Sequence, residues 1–235
     1  MEHTYKIAGL TVNMEAFGFA LDRARPYQIE YTDRPDFTVG ENWRARKERY
    51  PLSDDSFCIY SSSAVDFFEN ILDHDGMLLH SSAIVMDGKA YLFSADSGTG
   101  KSTHTALYRR YYGDERVRIL NDDKPAIRLE DGAFYAYGTP WSGKTALNLN
   151  LRAPLGGVCL LERGEKNEIE RIVPAGKALF RLLQQTCRFE DKAKMEKLMT
   201  LMDTLLRTVP VWRLKCNMDP EAAKVSYEAM SGQTL

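Results

Sequence analysis

The sequence predicts an α/β domain built on a mixed β-sheet. Three observations indicate this fold class: strand-like runs joined by two-residue turns, segments with apolar residues at helical spacing, and an apolar strand that leads through a glycine-bearing loop into a helix. Of the 235 residues, 44% are hydrophobic and 27% are charged, which excludes disordered, collagen-like and mucin-like chains. We therefore expect one full-sized core.

The charge balance and the cysteines restrict the classes of partner and compartment. The 31 basic and 33 acidic residues leave a net charge of −2, so we expect no nucleic-acid partner and no anionic membrane partner. No apolar run approaches the roughly 18 residues of a membrane span, and the opening stretch MEHTYKIAGLTVNME has no export signal. Four cysteines without a CxxC pair favour reduced thiols. These features predict a cytoplasmic protein.

Residues 1–75 are predicted to form a small β-rich N-terminal region, which is either attached to or part of a core spanning residues 76–235. The runs YKIAGLTV, YQIEYT and DFTV are separated by polar and proline-containing breaks, which indicates a small sheet. Residues 64–73, AVDFFENILD, have helical spacing.

The middle of the chain predicts two hairpins. Within residues 83–93, AIVM and KAYLF flank Asp87-Gly88, and IRLE and AFYAYG flank Asp131-Gly132. Asp-Gly pairs favour the type I′ turns of antiparallel hairpins. Between these hairpins, VRIL at residues 117–120 is predicted to be a short strand that ends in a cluster of carboxylates.

The C-terminal part predicts strands followed by helices. GGVCLLE and EIERIV flank a polar GEKN turn, residues 175–187 and 191–206 have helical spacing, and VPVWRL should be a strand. The last helix is predicted to begin with Asp219 as its cap and Pro220 in its first turn.

The segment SADSGTGKST, residues 94–103, is close to the Walker A phosphate loop GxxxxGK[ST]. Gly100, Lys101 and Ser102 occupy motif positions, and Ala95 stands where the first glycine should be. A Cβ at Ala95 is strained if φ there is positive and harmless if φ is negative. The alternative interpretation is an ordinary glycine-bearing turn with a solvent-facing lysine.

The chemistry of this loop suits a nucleotide carried with magnesium. Glycines let successive N–H groups curl around phosphate oxygens at the positive end of a helix. Lys101 would reach the β and γ phosphates, and the Ser102 hydroxyl would ligate the magnesium. The predicted nucleotide-binding residues are Ser97, Gly98, Thr99, Gly100, Lys101, Ser102 and Thr103.

Asp122 and Asp123 follow the strand VRIL, about twenty residues after the loop. One carboxylate there can hold magnesium, and the other can take the proton from an attacking hydroxyl. The predicted metal ligands are Ser102, Asp122 and Asp123. The alternative is a polar turn, since Asn-Asp-Asp before Lys-Pro is ordinary turn composition.

Two residues of one further segment, Lys144 and Trp141, are candidate components of the site. In GTPWSGK, residues 138–144, Lys144 would contact the transferring phosphoryl oxygens and Trp141 would lie against base or substrate; the alternative is a turn with one anchored tryptophan. The other histidines, His3, His74 and His104, show no metal spacing and are interpreted as packed or solvated.

The order of these features resembles the HPr kinase/phosphorylase family, which shares a phosphate-loop fold with phosphoenolpyruvate carboxykinase. His80 is followed by the first hairpin, by ADSGTGKS in place of GxSGxGKS, and by Asp122-Asp123, so the resemblance covers residues 78–128. It implies a mixed-sheet P-loop kinase core with a hairpin feeding the loop, ATP and Mg²⁺ as cofactors, and a homo-oligomer. It also implies that one aspartate is the general base, that the other binds magnesium, and that His80 orients the base.

The predicted function is therefore an ATP-dependent phosphotransferase that moves the γ-phosphate to a hydroxyl, that of a serine in a protein, a peptide or the free amino acid. Two alternatives remain open. One is an inactive nucleotide-binding or regulatory protein, and the other is a carboxykinase-like enzyme, which would need additional arginines. The predicted catalytic residues are Asp122, Asp123, His80, Lys101 and Lys144.

Overall fold

A computed structural model of the protein describes residues 2–233 and contains two β-sheets with helices packed against them. The strands are β1 (Glu2–Ile7), β2 (Leu10–Glu15), β3 (Gln28–Ile29), β4 (Phe37–Val39), β5 (Gly76–Leu78), β6 (Ser81–Met86), β7 (Lys89–Ser94), β8 (Val117–Asn121), β9 (Ala126–Glu130), β10 (Ala133–Tyr137), β11 (Arg152–Arg163), β12 (Glu168–Arg171) and β13 (Val211–Cys216). The α-helices are α1 (Gly18–Ala24), α2 (Trp43–Arg49), α3 (Asp55–Asn70), α4 (Lys101–Tyr112), α5 (Leu179–Leu183), α6 (Lys192–Thr208) and α7 (Glu221–Ser231).

The predicted small N-terminal sheet is confirmed. It has four strands in the order β3-β1-β2-β4, and β1 and β2 form one antiparallel hairpin from the single run YKIAGLTV. Ala8 and Gly9 make the turn with φ values of 50° and 80°.

Helix α3 packs against this sheet and begins nine residues before the predicted start at residue 64. The serine-rich stretch 55–63 hides its helical character in the sequence. Asp54 caps the helix by accepting a hydrogen bond from the Ser56 N–H, and the hydroxyls of Ser61 and Ser63 donate to carbonyls of the preceding turn.

The large sheet is mixed, as predicted. Seven strands follow the order β5-β9-β10-β11-β7-β6-β8, and β13 joins β11 and β12 beside this path. Both Asp-Gly turns have positive φ at both residues, 49° and 77° at Asp87-Gly88 and 49° and 79° at Asp131-Gly132, so both hairpins are confirmed. Strand β7 therefore pairs antiparallel with β6 on one side and parallel with β11 on the other.

Helices pack on both faces of this sheet. Successive side chains of a strand point to opposite faces, and apolar side chains of β7 lie on both. Leu92 of β7 belongs to the apolar cluster that contains the buried face of α6, whereas its neighbours Tyr91 and Phe93 belong to the cluster that contains α4 and α7. This arrangement fixes α4 on the sheet directly after the loop that follows β7. Within residues 2–233, none of the helices combines the length and the apolar character that crossing a membrane requires.

Two C-terminal predictions differ in detail from the structure. The segment predicted as a helix over 175–187 contains a 3-10 turn, Ala175–Ala178, and the short helix α5. Helix α5 ends at Leu183, and the carbonyl of Gln185 accepts a hydrogen bond from the His80 N–H. The last helix begins at Glu221, and Asp219 contributes its carbonyl to the Ala222 N–H but no side-chain cap. The other predicted helix is confirmed as α6.

His104 lies on α4 and its side chain is buried, in agreement with its interpretation as a packed or solvated residue. This burial predicts how the stability of the protein depends on pH. Burial lowers the pKa of its imidazole to about 3, and Nδ1 has no hydrogen-bond partner among the described residues. The unfolded chain takes up this proton near pH 6.5, so the stability that neutral His104 provides is complete above that pH and is lost as the pH falls towards 3. Between pH 7 and pH 5, the wild type should lose about 2 kcal/mol more unfolding free energy than His104→Gln.

Denaturant unfolding at the two pH values measures this difference. His3→Gln, which removes a histidine from the N-terminal strand β1, is the control and should follow the wild type. Parallel profiles for wild type and His104→Gln would show that the buried imidazole does not control acid stability.

Candidate functional site

The loop between β7 and α4 has the backbone conformation that its glycines predict. Gly98 and Gly100 have φ values of 80° and 122°, and a Cβ on either would meet no atom within 4 Å. Positive φ among the described non-glycine residues occurs at Ala8, Asp75, Asp87 and Asp131, so Ala95 does not carry that strain. The alanine in place of the first motif glycine is therefore harmless to the backbone.

The start of α4 presents free amides to the cavity beside it. The first hydrogen bond of the helix runs from the His104 N–H to the Gly100 carbonyl at 2.8 Å. The N–H groups of Lys101, Ser102 and Thr103 precede this bond and have no intrahelical acceptor. The helix dipole adds partial positive charge at the same point, so the loop can hold an anion.

Lys101 is buried, at 8% exposure, and its Nζ points back over the loop. It donates to the Ala95 carbonyl at 2.8 Å and to the Asp96 carbonyl at 3.4 Å. Burial lowers the pKa of this ammonium, while the nearby carboxylates of Asp123, Asp96 and Asp122 act in the opposite direction. The interpretation of a solvent-facing lysine is therefore wrong.

Asp122 directly follows β8 and is held by two hydroxyl groups. Ser82 Oγ donates to Oδ1 at 2.7 Å, and Thr145 Oγ1 donates to Oδ2 at 3.0 Å. Ser82 lies on β6, and its hydroxyl is also hydrogen-bonded to Thr105 of α4 at 2.7 Å. The carboxylate is buried, at 6% exposure, and each oxygen keeps acceptor capacity beyond its one hydroxyl donor.

Asp123 is held by donors of a different kind. Oδ1 lies 3.1 Å from Nε2 of His80, and Oδ2 accepts from the Lys124 ammonium. Burial acts to raise the pKa of this carboxyl, but the hydrogen bonds and charges of His80 and Lys124 outweigh it and lower the pKa to about 2. The local backbone is also the predicted polar turn, because Asn121 Oδ1 accepts from the N–H groups of Asp123 and Lys124.

A hydrogen-bonded chain joins this carboxylate to the loop. Nδ1 of His80 lies 3.2 Å from Gln185 Oε1, and Gln185 Nε2 donates to Asp96 Oδ1 at 2.9 Å. The acceptor-only Asp96 carboxylate orients the amide, so Oε1 faces the imidazole. Gln185 is 105 residues from His80 in sequence and was missed, since no local pattern marks it.

The segment 138–144 divides between the two interpretations offered for it. Trp141 is 1% exposed, packs on Phe67 at 4.8 Å between ring centroids, and donates from Nε1 to Ser63 Oγ at 3.2 Å. Its predicted contact with base or substrate is therefore wrong, because the indole anchors the turn in the core. Lys144, in contrast, is exposed and lines the same cavity as the aspartates.

N-terminal elements hold this segment against Asp123, a role that sequence analysis missed. Arg23 of α1 donates to Ser142 Oγ at 2.7 Å and to the Gly143 carbonyl at 3.3 Å, and the Gly143 N–H donates to the Tyr60 hydroxyl at 3.1 Å. Gly143 has a φ of 65°, and a Cβ there would lie 2.9 Å from Cβ of Asp123. Only glycine lets the segment approach the carboxylate this closely.

One cavity of about 920 Å³ brings most of the predicted site residues together. Thr99 lies instead on a neighbouring cavity of about 480 Å³, which Ser97 and Gly98 also line. Among residues 2–233, no cluster of three His, Cys, Asp or Glu side chains forms a ready-made metal site. The predicted residues that line the larger cavity are His80, Ser97, Gly98, Gly100, Lys101, Ser102, Thr103, Asp122, Asp123 and Lys144.

Comparisons with known proteins add little to this geometry. No protein-family model matches the chain, and no curated protein matches it. Among solved structures, the chain is similar to the HPr(Ser) kinase/phosphatase from Coxiella burnetii, with 10% identity and a TM-score of 0.39 over 66% of this chain and 99% of that one. At this identity and TM-score, the similarity assigns no function to the chain.

Proposed function

We propose that the protein is an ATP- and magnesium-dependent phosphotransferase that moves the γ-phosphate to a hydroxyl group. The observation that carries this proposal is one cavity in which the amides and lysine of a helix-starting glycine loop meet two carboxylates. Phosphoryl transfer demands mainly positioning and charge neutralisation, and these groups supply both. The proposal includes the sequence-based expectation of a P-loop kinase core over residues 76–235, with residues 1–75 attached to it.

The loop would bind the nucleotide's terminal phosphates. The amides at the start of α4 would donate to phosphate oxygens, and Lys101 would exchange its two loop carbonyls for the β and γ phosphates. Magnesium, when bound, would neutralise the charge of these phosphates. The oxygen donors of Ser102 and Asp122 fit this cation, which prefers one or two carboxylates together with substrate phosphates.

We assign the metal to Asp122 and the acceptor hydroxyl to Asp123. Neutral hydroxyls hold Asp122, whereas the Lys124 ammonium occupies one oxygen of Asp123 and would repel a second cation there. A pKa of about 2 keeps Asp123 anionic, so it can orient the hydroxyl and accept its proton late in a loose transition state. His80 would hold the carboxylate in place, and Lys144 would neutralise the transferring phosphoryl group.

The inactive alternative loses its main support. The alanine at the first motif position is the sequence feature that favours this alternative, and Ala95 lies outside the positive-φ residues, so it does not strain the loop. A carboxykinase would need several arginines at its site. Among residues 2–233, Arg46 is the one arginine that lines the cavity.

Transfer of labelled phosphate tests the proposal. Wild-type protein, magnesium and γ-phosphate-labelled ATP are incubated with a cell extract, with Asp122→Ala and Asp123→Ala proteins in parallel. Label on a peptide serine or on a small alcohol, dependent on both aspartates, is expected. Equal labelling or equal ATP consumption by all three proteins would refute catalysis by this site.

Gly143→Ala should impair transfer far more than a control alanine that costs a similar free energy of unfolding. Alanine would have to adopt the positive φ of this position, and its Cβ would displace Asp123. We therefore expect transfer to fall by more than about tenfold. Gly132→Ala is the matched control, because its φ is 79° and its Cβ would meet no atom within 4 Å. Both variants should lose about 1–2 kcal/mol of unfolding free energy from backbone strain. Equal transfer by the two variants would show that Asp123 tolerates displacement.

A further inference from the structure

The cavity that holds the predicted site has a second, apolar side built from the N-terminal region. We call this side the apolar wall and define it as Phe19 of α1 with Phe57, Ala64, Val65 and Phe68 of α3. The four α3 residues are spaced at i, i+7, i+8 and i+11, so they lie along one face of the helix. The wall and the phosphate loop border the same space.

The wall leaves large apolar side chains in contact with solvent. Phe19 is 36% exposed, Phe57 is 46% exposed and Val65 is 54% exposed. Single exposed apolar residues are common on protein surfaces, but a group of them inside a cavity marks a binding site. Ala64 and Phe68 are buried beneath them and form the floor.

The cavity also presents a guanidinium group that has no carboxylate partner among residues 2–233. Arg46 of α2 lines it, and its guanidinium lies 5.5 Å from the centre of the Tyr50 ring. Its neighbours Arg44 and Lys47 pair with Glu15 and Asp55, but no ion pair is formed by Arg46 within the described part of the chain. A guanidinium suits a carboxylate through two parallel hydrogen bonds.

Building on the proposed phosphotransferase function, we infer that the apolar wall is the acceptor site and that the acceptor is a small alcohol with an apolar body and a carboxylate. The body would pack on Phe57 and Val65, and the carboxylate would pair with Arg46. A strongly polar acceptor would leave the wall in water and gain nothing from it. Sites for small ligands typically have volumes of roughly 300–1,000 Å³, and this cavity of about 920 Å³ must hold the phosphates as well.

The step balances without a further reactant. The acceptor oxygen forms a bond to the γ-phosphorus, and the bond from that phosphorus to the β–γ bridging oxygen breaks. The bridging oxygen keeps the electron pair as part of ADP, and the hydroxyl proton passes to Asp123. The product is a phosphate monoester of the apolar alcohol.

Three probes separate the body from the charge: N-benzoyl-L-serine, L-serine, which lacks the apolar body, and N-benzoyl-L-serinamide, which lacks the carboxylate. Labelled-phosphate transfer gives KM for each, and calorimetry with Mg·ADP-bound protein measures probe binding without turnover. We expect N-benzoyl-L-serine to have a KM at least about tenfold below those of the other two. Phe57→Ala should raise that KM about tenfold, and Arg46→Gln should raise it for N-benzoyl-L-serine but not for the amide.

Phe180→Ala provides the matched control, since Phe180 is 73% exposed and lies outside the cavity. It should leave all three KM values unchanged. Equal KM values for L-serine and N-benzoyl-L-serine, no binding of any probe, or an unchanged KM in Phe57→Ala would overturn the inference. So would sedimentation that shows a dimer lost in Phe57→Ala, because a second copy would then cover the wall. Loss of the phosphotransferase proposal has a separate signature, which is the absence of Mg·ATP binding in the same protein.

Discussion

Asp123→Asn is expected to slow phosphoryl transfer by about 10²–10⁴-fold, the contribution of a positioned general base. The amide keeps the size of the side chain but cannot take the proton of the acceptor hydroxyl. His80 lies 3.1 Å from Oδ1, so the orienting contact survives in part. Binding of Mg·ATP should stay close to that of the wild type, because the metal is assigned to Asp122. Single-turnover kinetics with labelled ATP, combined with calorimetric affinity for Mg·ATP, separates the two effects.

The control for this variant is Asp131→Asn in the second hairpin turn. Asp131 is exposed and has a φ of 49°, which asparagine also tolerates, so this variant should match the wild type in both measurements. Wild-type turnover by Asp123→Asn would remove Asp123 from the mechanism. If Asp123→Asn loses nucleotide binding to the same extent as turnover, Asp123 and not Asp122 binds the metal.

Lys101→Met should weaken Mg·ATP binding by at least about 30-fold, or about 2 kcal/mol, because a charged hydrogen bond to the phosphates is lost. The Lys101 side chain is buried, and methionine keeps most of its apolar stem. The loss should appear in the dissociation constant measured by calorimetry.

Lys166→Met, at an exposed lysine of the GEKN turn, is the matched control and should bind Mg·ATP like the wild type. Thermal unfolding of both variants separates a binding defect from a folding defect. An unchanged dissociation constant in a folded Lys101→Met protein would leave the loop without a role in phosphate binding.

Local sequence signals predicted the parts of the structure that local geometry decides. The two Asp-Gly turns need positive φ at both residues, and the chain places both there. The order strand, glycine loop, helix is equally local, and it places Lys101 at the first residue of α4. The carboxylates at the end of β8 could be predicted because β8 is a short apolar strand followed by acids.

Features decided by tertiary packing could not be read in the same way. The sequence left open whether Trp141 contacts base or substrate or anchors a turn, and Phe67 and Phe68 of a distant helix decide this by packing against it. The contacts of Arg23 with the 138–144 segment join residues about 120 positions apart, and no periodicity encodes such a pairing. The apolar wall likewise depends on where α3 packs, and the serines at its start concealed even its length.

The most direct test of the central claim is a calorimetric titration of the wild type with ATP, in the presence and in the absence of magnesium, repeated with Asp122→Asn. We expect saturable one-to-one binding with magnesium, weaker binding without it, and a smaller effect of magnesium in the variant. If ATP and magnesium together give no saturable heat, or if magnesium affects wild type and Asp122→Asn alike, the loop and the carboxylates do not form a common nucleotide site.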